Sequence, residues 1–515
     1  MVLDLVNKGD KKDLFLLFSV FATAFCGLIY QLLIGTISSY FQGDSVKQFS
    51  ITIGFFMSGM GLGSYLSRLV KKDLLLVYVN IEILLGFVGG LSVPLLYLAF
   101  AYTSIFSLVM ILFNLLIGLF IGFEIPLLTR ELAHSQKLRL NLSNVLSLDY
   151  LGALIATLCF PFILLPILGT YKTSLVFGII NLFLGLITYF LFRNKVNLKK
   201  DKVLYLFTFF FTSVLILALY YSSNLIQFWN NKVYADPVIY SHRSDYQDIV
   251  LTSKKNRVNL YLNGNLQFSS ADEYRYHEPL VLVPAEACPV KTKILVLGGG
   301  DGLVVRELLK YDEIKFITLV DLDPAVTELA KTNRFLKKFN QNSLNNSKVA
   351  IVNQDAFLYL KDSQEKYDFI IADLPDPNNL SLAKLYSLQF YRFIMKNLTK
   401  DGLFVTQATN AIRAKKAFWS ILKTVKAAGF GKVYPFSTYI PSFGQWGFVV
   451  ASKIRNIDFF NVKLSVPTKF LTNDIITGLF IFSKDALYDL SKLRISTLDD
   501  PIISSYYLSD WEYWN

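Results

Sequence analysis

Five aspartates in the second half of the chain stand where chemistry on a cation would need them: Asp301, Asp321, Asp355, Asp373 and Asp376. Asp301 follows the apolar run Lys293–Leu297 and three glycines, Gly298, Gly299 and Gly300. A glycine turn between a strand and a helix lets a ligand approach the backbone and the positive helix N-terminus closely. Phosphate-binding turns avoid negative charge, and here Asp301 supplies it. An anionic pyrophosphate would be repelled, whereas a ligand with an amine or sulfonium would be held. Asp321 lies 21 positions after Gly300, matching the acid that accepts ribose hydroxyls in nucleotide-binding α/β folds. A third glycine is missing, because Leu303 follows Gly302, so the dinucleotide fingerprint is incomplete. Asp355-Ala356 suits an adenine amino group. Together these residues favour an S-adenosyl-type ligand over NAD.

Asp373-Leu374-Pro375-Asp376-Pro377 is a second such stretch. Two carboxylates three apart on a proline-stiffened turn can face one pocket. They complement a diamine, and one of them can take the proton of an attacking nitrogen. Taken singly, an Asp before Pro is also a common turn residue. Upstream, Asp272-Glu273-Tyr274-Arg275-Tyr276-His277-Glu278 adds polar and aromatic groups, and this company makes His277 a pocket residue rather than a surface histidine.

The elements that must position these residues can be read from hydrophobic periodicity. Strands are expected at 293–297, 316–320, 348–352, 367–372 and 402–407, with helices near 302–311, 324–338, 383–398 and 413–428. That alternation predicts a doubly wound parallel sheet, completed by strands near 432–436 and 446–452. Ligands of such sheets sit outside the carboxyl ends of the strands, where the acids fall. Before it, Gln247–Thr252 and Arg257–Leu262 read as short strands, and Asn263-Gly264 is a type I′ hairpin signal ahead of Leu266–Phe268. The expected domains are thus 233–270, a small β-sheet, and 271–453, a Rossmann-like fold of methyltransferase type. The tail 454–515 has no assigned shape.

Residues 1–222 are of another kind. Hydrophobic residues make up 53% of the whole chain and mean hydropathy is +0.42, too apolar for a wholly soluble protein. Seven stretches near 14–38, 48–69, 74–101, 104–129, 143–168, 172–192 and 203–221 are long enough to span a bilayer core of about 30 Å. Gly59, Gly61 and Gly63 favour close helix packing. The formal charge of +12 sits mainly in loops between these stretches, so it reads as a topology signal rather than a nucleic-acid surface. Cys26, Cys159 and Cys288 suggest neither a metal cluster nor a disulfide framework. Glu82, Glu124 and Asp149 fall inside apolar spans and are functional candidates, although Glu124 is near enough to Arg130 to pair with it. The basic loops put the N-terminus in the cytoplasm, and seven crossings would then put the second half outside. An S-adenosyl-type ligand is expected in the cytoplasm, which requires the opposite. The expectation is a multi-pass cell-membrane protein with a cytoplasmic catalytic half, in contact with lipid and assembled as a homodimer or higher homo-oligomer.

Over roughly 235–453 the chain resembles the spermidine synthases, aminopropyltransferases that use decarboxylated S-adenosylmethionine. The matching residues are Tyr246-Gln247-Asp248-Ile249, Asp272-Glu273, Tyr276-His277-Glu278, Gly298–Gly302, Asp321-Leu322-Asp323, Asp355, Asp373 with Asp376-Pro377, and Gln407. The multi-span N-terminus, with Tyr439–Gly444 and Leu498–Pro501, is similar to the family's membrane-bound branch. The resemblance implies Gln247, His277, Gly298, Gly300, Asp301, Asp321, Asp355 and Ala356 around the donor, and Asp373 as general base. It implies Tyr276, Asp376, Gln407 and Tyr439 around the acceptor, putrescine or a similar polyamine. No metal and no permanently bound cofactor are expected. The chain departs from the family pattern at Asp321 (often Glu), Ala356 (often Gly) and Leu374-Pro375 (Ser or Thr after the base). A methyltransferase using the intact donor is the nearest alternative, and an amine transporter or sensor with a binding-only second half is another.

Overall fold

The computed structural model describes residues 11–42, 45–133, 138–192, 201–453 and 457–514. Its contacts divide the chain into two units, Met1–Val238 and Ile239–Asn515.

The first unit is helical: α1 (Lys11–Gln42), α2 (Ser45–Leu66), α3 (Leu74–Tyr102), α4 (Phe106–Leu132), α5 (Leu138–Cys159), α6 (Leu165–Leu191), α7 (Asp201–Tyr220) and α8 (Ser222–Val233). Among the described residues, five helical stretches are long and apolar enough to cross a membrane, rather than the seven expected. The difference lies partly in Leu142–Leu191, a 50-residue stretch. At 1.5 Å per residue it would reach about 75 Å, well beyond one bilayer core. A π-helical turn at Phe160–Leu164 and Gly169, with φ 69° and ψ −178°, interrupt it, so it covers two expected spans. The seventh, Leu204–Tyr220, is apolar but shorter. Gly59 and Gly63 do pack closely: a Cβ at either would run into the backbone of α4 near Leu115–Gly122. Gly61, two positions off that face, has open space. The expected Glu124–Arg130 pair is absent. The Arg130 guanidinium donates instead to the carbonyls of Pro126, Val70 and Ser67 at 3.1, 2.9 and 2.8 Å. The Val70 and Ser67 carbonyls lie in the turn after α2, and the forked guanidinium reaches both at once from α4.

The second unit begins with an antiparallel sheet of order β1-β2-β3-β4: β1 (Val238–Arg243), β2 (Asp248–Lys254), β3 (Arg257–Leu262) and β4 (Asn265–Ser269). Asn263 and Gly264 both have positive φ, 49° and 76°, as the type I′ reading requires. Sequence periodicity missed β1, whose side chains are mostly exposed. The helix α9 (Tyr274–Ala287) leads into the main sheet.

That sheet has seven strands in the order β10-β11-β9-β8-β5-β6-β7. They are β5 (Lys293–Gly298), β6 (Phe316–Asp321), β7 (Val349–Asn353), β8 (Tyr367–Asp373), β9 (Leu398–Asn410), β10 (Lys432–Ile440) and β11 (Gly444–Ser452). β5 to β9 run parallel, and β11 alone is reversed, pairing antiparallel with β9 on one side and with β10 on the other. Helices α10 (Leu303–Leu308), α11 (Pro324–Thr332), α12 (Ala356–Asp362), α13 (Leu388–Asn397) and α14 (Lys415–Ala427) connect them. Alternate residues of the central strands feed two cores. Val296, Phe369 and Ile371 join one, and Leu295, Leu297 and Ile370 the other. Burial on both faces explains why these strands read as continuous apolar runs. The chain leaves β5 toward β7 and returns to β8 on the other side of β5, so a crevice opens at the carboxyl ends of β5 and β8.

The tail is part of this unit. Phe459, Leu471 and Ile476 join the first core, and Leu493 and Ile503 the second. Three consecutive backbone N–H groups, Lys469 to Leu471, donate to the Glu278 carboxylate on α9 at 2.7–3.0 Å. The chain then forms α15 (Ile502–Glu512).

Candidate active site

Where β5 ends, Gly298 has φ 77° and stands in register with Asp373 at the end of β8. A Cβ there would run into the Asp373 carbonyl, so glycine is what lets the two strand ends close together. Gly300 is confined differently. Its N–H donates to Asp321 Oδ2 at 3.0 Å, and a Cβ would lie 2.5 Å from that same oxygen. The other oxygen of Asp321 accepts the Asp323 N–H at 3.0 Å. Burial pushes the Asp321 carboxyl up to about 6 in spite of these bonds. Asp301 accepts the Leu303 N–H at 2.9 Å as α10 starts. Burial raises its pKa too, with nearby His277 acting against it.

His277 is buried rather than a surface histidine, and its Nδ1 lies 2.8 Å from the Glu273 carbonyl and 3.0 Å from Glu273 Oε2. Burial alone would depress its pKa, but the bond and charge of Glu273, with Asp301 and Asp373, hold it above its ordinary value. Glu273 is itself gripped on both oxygens by Arg306, at 2.8 Å each. Burial opposes ionisation of Glu273, and the contacts of His277 and Arg306 overcome it, leaving the carboxyl at about 2. This is a closed network of buried charges under the glycine turn.

On the other side, the Tyr276 hydroxyl donates to Asp373 Oδ1 at 2.5 Å. Burial pushes Asp373 up to about 6, with His277 and the Tyr276 bond pulling it down and Asp301 pushing it up. The residue is therefore ionised for the most part at neutral pH yet basic enough to accept a proton. Asp376 is also held at about 6, chiefly by burial. Its Oδ1 accepts from Gln407 Nε2 at 3.3 Å and its Oδ2 from the Tyr507 hydroxyl at 3.0 Å. Gln407 lies inside β9 rather than at its end, because the strand runs on to Asn410. Its Nε2 also donates to the Leu374 carbonyl at 2.7 Å and contacts the Tyr386 hydroxyl.

Two of the expected residues are engaged in ways the sequence did not suggest. Gln247 Nε2 donates to Asp323 Oδ2 at 2.9 Å, and Ser244 Oγ to the same oxygen at 2.6 Å. Asp355 caps α12 through Phe357 and Leu358 N–H at 2.9 and 3.2 Å, and its other oxygen meets Lys384 Nζ at 2.6 Å. Ala356 is buried at the first position of α12. Tyr439 is 58% exposed on β10, and its carbonyl accepts from Arg275 at 3.5 Å. No group of three or more His, Cys, Asp or Glu side chains able to hold a metal occurs among the described residues.

Residues 273–461 match the spermine/spermidine synthase domain. A polyamine aminopropyltransferase from Leptospira interrogans is 40% identical over 495 residues, covering 96% of this chain and 98% of the relative. Another from Oceanobacillus iheyensis is 38% identical over 513 residues, 98% of this chain and 99% of its own. The chain belongs to the polyamine aminopropyltransferase family. A solved spermidine synthase in complex with the transition state analogue AdoDATO aligns with 48% of this chain and 85% of its own, at 26% identity and a TM-score of 0.45.

For an aminopropyltransferase the acidic crevice is a substrate-matched feature, since both reactants are cations. The match with the relatives extends through the helical unit, so that unit belongs to the family's architecture too. At the departure Leu374-Pro375 both carbonyls are hydrogen-bonded, Leu374 to Gln407 Nε2 and Pro375 to the Tyr386 hydroxyl at 2.8 Å. Sequence reasoning missed Tyr507, Lys384 and the role of Arg306. Only Arg306 carried a signal, as a basic residue on an apolar helix that needs a buried partner.

Proposed function

We propose that the chain transfers an aminopropyl group from decarboxylated S-adenosylmethionine to putrescine or a similar amine, with Asp373 as the base. The acceptor nitrogen forms a bond to the propyl carbon attached to sulfur. The carbon–sulfur bond breaks, its electron pair neutralises the sulfonium, and methylthioadenosine leaves. The extra proton on nitrogen goes to Asp373. The observation that carries this reading is Asp373 itself, at the end of β8 against the glycine turn, with Tyr276 on one oxygen. Gly300, Asp301 and Asp321 form the donor side, where an added carboxylate would meet Asp301. Asp376 and Gln407 form the acceptor side. Positioning two cations in an acidic crevice supplies much of the catalysis. Incubating the full chain with the decarboxylated donor and a panel of diamines, and identifying products by mass, tests it. Transfer of a labelled methyl group from intact donor instead would sink it.

The helical unit is read as a bilayer-spanning anchor, supported by its five long apolar stretches, and the catalytic unit as cytoplasmic, where the donor is made. A reporter fused after Asn515 tests the side. A second reading, amine passage through the helical unit, draws support from Glu124, which is 1% exposed with no hydrogen-bond partner on either oxygen among the described residues. Flux of labelled spermidine into vesicles carrying the full chain tests that.

A further inference from the structure

The tail does more than cover the sheet. α15 is pinned at one end by Asp510, whose carboxylate accepts the Lys416 and Ala417 N–H groups at 2.6 and 3.3 Å where α14 begins. Ile503 anchors the other end in the second core. Between these anchors Tyr507 reaches Asp376 Oδ2 at 3.0 Å. The two acids of the crevice turn are thus treated alike. Asp373 has a phenol from α9 on one oxygen, and Asp376 has a phenol from α15 on one oxygen. A hydroxyl donating to a carboxylate stabilises its ionised form and fixes the plane of the group. With Gln407 on the opposite oxygen, Asp376 cannot swing without breaking one of two bonds. Residues 273–461 match the family domain, so Tyr507 lies outside it.

We infer that Tyr507 is a positioning residue for the amine acceptor, holding Asp376 ionised and oriented toward the distal ammonium, so that the tail helps to set which amine is used. This rests on the reading of Asp376 as an acceptor-side carboxylate. The occupant is a diamine or longer polyamine, because only an acceptor with a second cation gains from a second fixed carboxylate. A monoamine would gain little.

The test is steady-state kinetics on the full chain with Tyr507→Phe, Asp376→Asn and the double variant, varying putrescine and donor separately. Phenylalanine keeps the ring and its packing, so a thermal melt of each variant accompanies the kinetics. The expected result for Y507F is a rise of about tenfold in KM for putrescine, with kcat and donor KM within about twofold of wild type, as for loss of one charge-assisted hydrogen bond. D376N should raise putrescine KM further, and the double variant should be no worse than D376N alone. If D376N raises putrescine KM and Y507F does not, the inference fails while the site reading stands. An unchanged putrescine KM in D376N overturns the acceptor-side reading itself. Additive effects, or a Y507F loss spread over kcat and both KM values with a lowered melt, would show a structural contact only and overturn the inference.

Discussion

Replacing Asp373 by asparagine should slow aminopropyl transfer and, at neutral pH, make the folded catalytic unit harder to melt. The folded pKa of this carboxyl is about 6 against an ordinary 3.8, so it binds its proton more tightly folded than unfolded. Its contribution to stability therefore falls as pH rises from about 4 to 6, and above that window the full cost of the buried charge is in place. Two pKa units correspond to about 3 kcal/mol. The carboxylate opens on to the crevice, and solvation there reduces the figure to about 1–2 kcal/mol. Asparagine has the same shape and can still accept from Tyr276, so most of that cost should be recovered. For a unit of this size, the melting midpoint should rise by about 2–8 °C at pH 7.5, with the gain vanishing near pH 4. Loss of the base should lower kcat by about 10²–10⁴. Melting by intrinsic fluorescence at both pH values, beside product formation by mass, measures both effects. Wild-type turnover in the variant, or a lower midpoint at pH 7.5, would refute the reasoning.

Other consequences can be checked with the same assays. With Asp373 and Asp376 both near 6, kcat/KM should rise with pH through that value and level off above it, because base and acceptor carboxylate must both be ionised. Gly300→Ala puts a methyl 2.5 Å from Asp321 Oδ2 and should raise donor KM at least tenfold, while putrescine KM changes little. Glu273→Gln takes the negative charge from beside the buried Arg306 guanidinium and leaves one oxygen in place of two to accept from it. It should cost about 3–5 kcal/mol and appear as a lower melt even when both substrates are saturating.

The sheet was legible because strands buried on both faces are mostly apolar and because positive φ at Gly298, Gly299 and Gly302 favours glycine where β5 ends. β5 to β8 fall within a residue or two of their expected bounds for that reason. The expected helix at 324–338 is two, because the Asn333 side chain accepts from the Phe335 and Leu336 N–H groups and starts a second helix. β9 extends three residues past Gln407, where it still pairs with β11, Asn410 opposite Trp446, and where buried Thr409 and Asn410 break the apolar pattern. The aspartates were readable by spacing, but their partners were not. Tyr507, Lys384 and Arg306 reach the site by folding, from positions with no fixed distance to the acids. Asp355 shows the converse: a motif residue whose observed bonds are to a helix start and a lysine.

Gly298–Gly300 lie between Asp321 on β6 and Asp373 on β8, both close to half protonated near pH 6. A sulfonium bound on that turn brings positive charge against both acids at once and favours their ionised forms. On the proposed reading, Asp321 and Asp373 carry protons in mildly acidic solution that a bound sulfonium would displace. Donor association in mildly acidic solution is therefore an exchange of one kind of cation for another, and its measured heat contains the ionisation enthalpy of whatever buffer receives the protons.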